Sequence, residues 1–259
     1  MISPRNLSAQ LFSFILVLFL SSCAHIRLAE LEYQNTPPGG CTTIDYLFTS
    51  PESEVLTEFS HMAELDQITA NTEDQLELLW VVSSWAHSLW DHHSSNQPSS
   101  TDPRVILSEV RQGVRYRCVE YARIIHAALL SMGIPARFMN MKQEHPENTS
   151  SSHVVCEAYL SDYNTWVMVD CQWNRIPMET GWPLSTAGMQ RVIASQDREL
   201  SFYNHGSDWV YQGWVTPYLF YLHFNPDCRI IIDSIFARRN ISPMLFDQLP
   251  RQGCVGEES

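Results

Sequence analysis

Hydrophobic side chains recur every three or four positions in two long segments, and this spacing predicts two helices. In residues 74–90 the apolar positions share one helical face, and Thr72 or Asn71 is expected to cap the start. In residues 118–132 the same spacing recurs, and Gly133 is the expected C-terminal stop. The second helix therefore begins at a cysteine, which follows a glycine- and arginine-containing loop.

Other segments have the composition of strands, and two of them are joined by a short turn. Residues 161–164 (SDYN) have turn chemistry and separate two of these segments, so we expect an antiparallel hairpin there. A shorter helix is expected over residues 104–110. The predicted strands are 136–141, 153–160, 166–170, 218–224 and 229–236.

The N-terminus has the order of features found in exported proteins. Arg5 precedes an apolar run at residues 11–20, which is too short to span a membrane comfortably but suits the apolar region of a signal peptide. The run ends in Ser21-Ser22-Cys23, which resembles the bacterial lipobox, where the cysteine is lipidated. An ordinary signal peptide or an anchor helix, with Cys23 incidental, is the alternative interpretation. Residues 1–22 are thus a predicted lipoprotein signal peptide.

The composition indicates a folded, acidic protein, while the lipobox-like N-terminus predicts a lipid anchor in the bacterial cell envelope. Hydrophobic residues make up 44% of the chain and charged residues 17%, which fits a sizeable core. The net charge is −13, and removal of residues 1–22 takes away only Arg5, leaving 15 basic against 29 acidic residues, or −14. Nucleic-acid binding needs clustered Lys and Arg, so we expect no nucleic-acid partner. Residues 23–50, with Pro37-Pro38-Gly39-Gly40, are the predicted tether to a domain at 51–259.

Seven cysteines must be assigned in what would be an oxidising compartment. With Cys23 assigned to lipid and Cys118 to chemistry, five remain, so at least one is unpaired within the chain. A disulfide drawn from Cys41, Cys228 and Cys254 is one possibility, and the sequence does not determine the connectivity.

Cys118, His153 and Asp170 are the candidates for chemistry. A helix N-terminus has unpaired N–H groups and a partial positive charge, which favour a thiolate at Cys118. His153 can pair with this thiolate and later protonate a leaving amine, while Asp170 can orient the imidazole ring. His153 opens one strand of the predicted hairpin and Asp170 closes the other, so antiparallel pairing places them at the same end.

Three blocks of the sequence resemble the transglutaminase-like superfamily. They are residues 113–137 (GVRYRCVEYA through MGIPAR), 153–157 (HVVCE) and 166–170 (WVMVD). The resemblance covers about residues 104–172 and extends upstream if residues 85–90 are included. It implies a papain-like α+β fold in which a nucleophile helix packs on an antiparallel sheet. It also implies that Cys118 is the nucleophile, His153 the base and acid, and Asp170 the orienting group. Cys171 departs from the pattern, because many members have proline there.

The resemblance implies cysteine-dependent acyl transfer on carboxamide or peptide bonds through a thioester, ending in hydrolysis or transamidation. The alternative is a non-catalytic envelope module that binds a peptide or partner on the same fold. The backbone N–H of Cys118 and the side chain of Gln112 are candidate oxyanion donors. We expect a peptide or protein substrate, no cofactor and no metal, since His92-His93 lacks partners at ligand spacing. Several later aromatics are expected in the core, although some near Trp173 could line the acyl-donor cleft: Trp173, Trp182, Trp209, Trp214, Tyr218 and Tyr221.

Overall fold

A computed structural model of the chain describes residues 28, 47–72, 74–195, 197–224, 227–230 and 232. The predicted signal peptide and Cys23 lie outside these residues, as do most of the tether, Cys41 and Cys254. The strand predicted at 229–236 is described only at residues 229, 230 and 232. None of the helices in the described part is long and apolar enough to cross a membrane.

The described helices are concentrated in the first half of the chain and the strands in the second. The helices are α1 (Glu54–Ala63), α2 (Leu65–Thr69), α3 (Gln75–Ser88), α4 (Pro103–Arg111), α5 (Cys118–Ser131), α6 (Thr186–Ser195) and α7 (Trp209–Val215), with a 3-10 turn at Thr216–Tyr218. The strands are β1 (Leu47–Phe48), β2 (Ala136–Lys142), β3 (Ser152–Leu160), β4 (Thr165–Val169), β5 (Pro177–Glu179), β6 (Trp182–Pro183), β7 (Ser201–Phe202), β8 (Tyr221–Phe224) and β9 (Asp227–Cys228).

The two long helices form where the hydrophobic spacing predicts them, but the cap of α3 differs. Asp74, rather than Thr72 or Asn71, caps α3, since its carboxylate accepts hydrogen bonds from the backbone N–H groups of the next turn. That prediction was wrong because Asp74 lies directly before the first helical residue. Helix α5 ends at the expected Gly133, whose φ of 73° suits glycine and turns the chain toward β2.

The central sheet has the strand order β4-β3-β2-β8, and every neighbouring pair is antiparallel. The predicted hairpin is β3–β4, with Cys156 opposite Val169 and Leu160 opposite Thr165. The strand predicted at 218–224 begins only at Tyr221, because residues up to Tyr218 form the 3-10 turn. Pro217 lies in that turn and has no N–H to offer a strand neighbour.

Alternate residues of the β3–β4 hairpin pack in two different hydrophobic cores, one on each face of the sheet, so the sheet is covered on both faces. Ala158, Val167 and Val169 pack with the helices that precede the sheet. Val155 and Met168 pack with segments that follow it, including α6 and α7. The predicted α+β architecture, with a helix that begins at Cys118 packed on an antiparallel sheet, is confirmed.

Two aromatic residues expected in the core are instead exposed. Trp182 is 53% exposed and Trp209 is 81% exposed. Trp182 lies in the two-residue strand β6 at the margin of a small sheet, and Trp209 is the first residue of α7. Neither position has a packed layer above it, so the expectation of burial was wrong for both.

A buried ion pair links the central sheet to the segments that follow it in the chain. Arg137 on β2 and Glu157 on β3 are both almost fully buried, and the Arg137 Nη2 to Glu157 Oε2 distance is 2.6 Å. The other carboxylate oxygen accepts a hydrogen bond from the backbone N–H of Thr186, at 2.7 Å. The guanidinium also lies over the rings of Trp166 and Phe224. Glu157 therefore connects the sheet directly to the start of α6.

Glu157→Gln should destabilise the fold, because it removes the carboxylate charge that pairs with the buried Arg137 guanidinium. Breaking a buried pair in this way typically costs about 3–5 kcal/mol, and urea unfolding measures it as a lower midpoint. Glu58→Gln is the matched control, since Glu58 is exposed and its ion partner Arg104 also pairs with Asp102. Equal unfolding midpoints for the two variants would show that the buried pair is not needed for stability.

Candidate active site

Cys118 is the first residue of α5, at the point where an extended loop turns into the helix. The preceding residue, Arg117, has extended backbone angles (φ −86°, ψ 179°). The Glu120 carboxylate accepts from the Arg117 backbone N–H at 3.2 Å and also pairs with its guanidinium. This capping arrangement fixes the helix start, and the Cys118 side chain there is half-buried with some access to solvent.

His153 and Asp170 form a buried hydrogen-bonded pair at one end of the sheet. The distance from His153 Nε2 to Asp170 Oδ2 is 2.7 Å, and the two residues are 2% and 1% exposed. The register that sets Cys156 opposite Val169, continued by one residue, puts Asp170 opposite Val155. Val155 shares a sheet face with His153, so the hairpin itself brings the two side chains together.

Asp170 is held by two further donors. The Tyr211 hydroxyl on α7 donates to Asp170 Oδ2 at 2.9 Å, and the Trp173 backbone N–H donates to Oδ1 at 3.3 Å. Burial raises the pKa of Tyr211, and the neighbouring Asp170 carboxylate raises it further, so the phenol stays protonated and remains a donor. Sequence reasoning missed Tyr211, because it lies 41 residues after Asp170 and no local motif marks it.

The environment of His153 favours the charged ring. Burial alone would lower its pKa, but the Asp170 carboxylate, by charge and hydrogen bonding, and then the Cys118 side chain raise it to about 9. The ring is therefore protonated at neutral pH. Since Nε2 is bonded to Asp170, Nδ1 is the nitrogen left for the sulfur. An imidazolium beside a cysteine stabilises the thiolate form.

Aromatic rings cover the face of the pair away from the helix. The ring of Trp214 lies 4.9 Å from that of His153 in an edge-on arrangement. Trp173 lies 4.9 Å from Trp214, and Tyr218 lies 5.4 Å from it, between centroids. These rings exclude water from the imidazole. Trp173, expected from the sequence as core or cleft lining, thus lies in the layer that borders the pair.

The other described cysteines differ sharply from Cys118. Cys156, Cys171 and Cys228 are each at most 3% exposed, and burial raises the pKa of all three thiols. Burial of this kind makes a thiol inert. Cys118 combines a partly exposed sulfur with a charged histidine, so it is the described cysteine best placed to react.

Two further sequence candidates lie in the loops before Cys118. Gln112 is exposed at the end of α4, where its amide is 3.5 Å from the Ser108 hydroxyl, and no described contact joins it to Cys118. Its oxyanion role remains a prediction.

His92 is exposed yet interacts electrostatically with His153 and Asp170. Within the described residues there is no group of three His, Cys, Asp or Glu side chains that could hold a metal ion.

The comparisons with known proteins agree with the predicted family. Residues 64–171 match the family model of the transglutaminase-like superfamily. A crystal structure of a proposed cysteine protease from Cytophaga hutchinsonii is similar over 74% of this chain and 55% of that chain, with 14% identity and a TM-score of 0.37. The chain thus spans little more than half of that protein's length. No curated protein matches the chain.

The match at 64–171 begins in the helices before Cys118 and ends just after Asp170, so it contains all three residues of the candidate site. Over these residues the predicted resemblance to the transglutaminase-like superfamily is confirmed. The helix that begins at Cys118 packs on the sheet that holds His153 and Asp170, as that resemblance implies.

The raised pKa of His153 predicts a loss of activity in alkaline solution. The imidazolium is lost as pH rises through about 9, so kcat/KM should fall there. Asp170→Asn removes the main source of the raised pKa of His153, while burial still lowers that pKa. The pH at which kcat/KM falls (the alkaline limb) should therefore decrease by roughly one to three pH units. Asp162→Asn, in the exposed turn after β3, is the control and should leave the limb in place. A limb that does not move in Asp170→Asn would contradict the pairing.

Proposed function

We propose that the chain is a cysteine-dependent acyl-transfer enzyme that acts on carboxamide or peptide bonds through a thioester on Cys118. The observation that carries this proposal is the buried 2.7 Å hydrogen bond between His153 and Asp170, with the half-exposed thiol of Cys118 against the same imidazole. A nucleophile, a base and an orienting group in this order are the parts that amide chemistry requires.

The first half of the reaction forms the thioester. The Cys118 thiolate attacks the carbonyl carbon, a C–S bond forms, and the carbonyl electron pair moves to oxygen. The oxyanion collapses as the C–N bond breaks, and the protonated His153 gives its proton to the leaving nitrogen. Asp170 keeps the ring oriented and balances its charge throughout. The amine leaves, and the acyl group remains on sulfur.

The second half of the reaction uses the same groups in reverse. His153, now neutral, takes a proton from water or from an incoming amine, which attacks the thioester carbon. The C–S bond breaks, the thiolate is restored, and the product is an acid or a new amide. The rings of Trp173, Trp214 and Tyr218 border the imidazole, and this apolar wall suits the side chains of a peptide or protein substrate.

Cys118→Ala should abolish both labelling and turnover. Purified protein is treated with iodoacetamide, and the modified cysteine is mapped by mass spectrometry. Turnover of p-nitrophenyl acetate and of fluorescent casein should fall by roughly 10³-fold or more, because the nucleophile is absent. A fluorescent alkylamine added with casein separates transamidation, seen as incorporated label, from hydrolysis, seen as released peptides.

Ser88→Ala is the control for this experiment, since Ser88 is exposed at the end of α3 and should leave both rates unchanged. Undiminished turnover in Cys118→Ala would contradict the nucleophile assignment. A folded wild-type protein that neither turns over these substrates nor reacts at Cys118 would favour the alternative function, a peptide- or partner-binding module on the same fold.

We also propose that the mature chain is held at a bacterial membrane by lipid on Cys23. The support is the order Arg5, apolar run, Ser21-Ser22 and Cys23 in the sequence. Several acyl chains on one cysteine bind membranes firmly, whereas one chain binds only marginally. This places the acyl-transfer site in the cell envelope, in reach of envelope peptides and proteins.

Cys23→Ser should prevent lipidation when the full chain is expressed in a bacterium. Wild-type protein should incorporate radiolabelled palmitate and sediment with membranes, while the variant should do neither. Cys41→Ser, a second cysteine near the N-terminus, is the control and should behave like wild type. Membrane association and label retained in Cys23→Ser would contradict the anchor.

A further inference from the structure

The loop between α3 and α4 is clamped to the segment that leads into Cys118. The Trp90 indole N–H and the His93 backbone N–H both donate to the Tyr116 carbonyl oxygen, at 3.1 and 2.8 Å. The Tyr121 hydroxyl donates to the Trp90 carbonyl oxygen, and the two rings stack 4.0 Å apart. His92 therefore stands between two fixed residues, beside the loop that carries the nucleophile.

The two hydrogen bonds to Tyr116, which lies two residues before Cys118, place His92 beside the candidate active site. Its imidazole interacts with His153, Asp170 and Glu120, which belong to the end of the hairpin and the first turn of α5. Among these three, the interaction with His153 is the strongest. His92 is exposed whereas His153 and Asp170 are buried, so it approaches the pair from the solvent side.

The same neighbours keep His92 uncharged. Partial burial lowers its pKa, and His153 and His93 lower it further, although the Asp170 and Glu120 carboxylates act in the opposite direction. A neutral imidazole offers one N–H donor, and it avoids adding a second positive charge next to the protonated His153. A histidine N–H is one of the side-chain donors that can stabilise a developing oxyanion.

An oxyanion needs at least two donors, and the start of α5 supplies one. Among the described backbone hydrogen bonds, none uses the N–H of Cys118, which is expected for the first residue of a helix. Gln112, the side chain that the sequence offers as second donor, is exposed and turned toward Ser108. His92 is a neutral side-chain donor on the loop that is clamped to the segment leading into Cys118.

We propose that the imidazole of His92 donates the second hydrogen bond to the oxyanion that forms when the Cys118 thiolate attacks a carbonyl carbon. This inference rests on the proposed acyl-transfer function. It gives a catalytic role to a residue that the sequence pattern brings up only as a rejected metal ligand.

The test compares a reaction that forms an oxyanion with one that does not. Hydrolysis of p-nitrophenyl acetate passes through a tetrahedral oxyanion, whereas alkylation of Cys118 by iodoacetamide occurs at a saturated carbon. His92→Ala should lower kcat/KM for the ester by roughly 10- to 100-fold, mostly in kcat, in the range known for loss of one oxyanion donor or somewhat below it. The rate of alkylation at Cys118 should change by less than about twofold.

Three variants complete the experiment, all made in the full chain. His92→Gln keeps a neutral donor and should recover part of the lost kcat. Ser95→Ala, at an exposed position of the same loop, should keep wild-type kinetics. Gln112→Ala should also keep them. Thermal unfolding of each variant confirms that the fold is retained, so that a low rate reports on the site.

Several results would overturn the inference while leaving the acyl-transfer function intact. These are unchanged ester hydrolysis in His92→Ala, an equal loss of hydrolysis and alkylation, or a loss in Gln112→Ala in place of His92→Ala. If wild-type protein does not hydrolyse the ester, or if Cys118→Ala hydrolyses it as well as wild type, then the proposed function itself fails and the role of His92 fails with it.

Discussion

The buried contact between His153 and Asp170 is the interaction on which the site depends. Asp170 is only 1% exposed, and burying a carboxylate costs free energy unless its oxygens accept hydrogen bonds. Here the imidazole, the Tyr211 hydroxyl and the Trp173 backbone N–H supply those partners. The carboxylate favours a protonated ring, which lies beside the Cys118 side chain. The surroundings of Cys118 are thus set by residues from distant segments of the chain.

The site forms where two layers of the protein meet at the end of the sheet. The layer before the sheet supplies the start of α5, and with it Cys118. The layer after the sheet supplies α7, from which Tyr211 and Trp214 reach the buried pair. The hairpin lies between the layers and contributes His153 and Asp170. Because each layer packs on its own sheet face, the distances within the site depend on both cores.

Local signals in the sequence were sufficient for the nucleophile helix and the hairpin. The three- and four-residue spacing before Gly133 gives the helix, and the turn residues between two strand-like runs give the hairpin. Together these place His153 near Asp170 without any tertiary information. The family blocks extend the prediction to the fold, because the resemblance implies a nucleophile helix packed on an antiparallel sheet.

The remaining features depend on contacts between distant segments. Tyr211 is found only when α7 is docked, and the short α7 has no strong periodicity of its own. The role of the loop at His92 depends on its clamp to Tyr116, which joins residues 23 or more positions apart. The exposure of Trp209 follows from its place on a helix with nothing packed over its first turn. Aromatic composition alone could not distinguish such a position from the core.

The position of Tyr211 in the chain has a consequence for biosynthesis. A ribosome adds Tyr211 long after Cys118, His153 and Asp170, so these three residues are synthesised before the phenol that donates to the Asp170 carboxylate. Helix α7 must dock before Asp170 acquires all of its donors. Assembly of the candidate site is therefore completed late, when the last segments pack on the sheet.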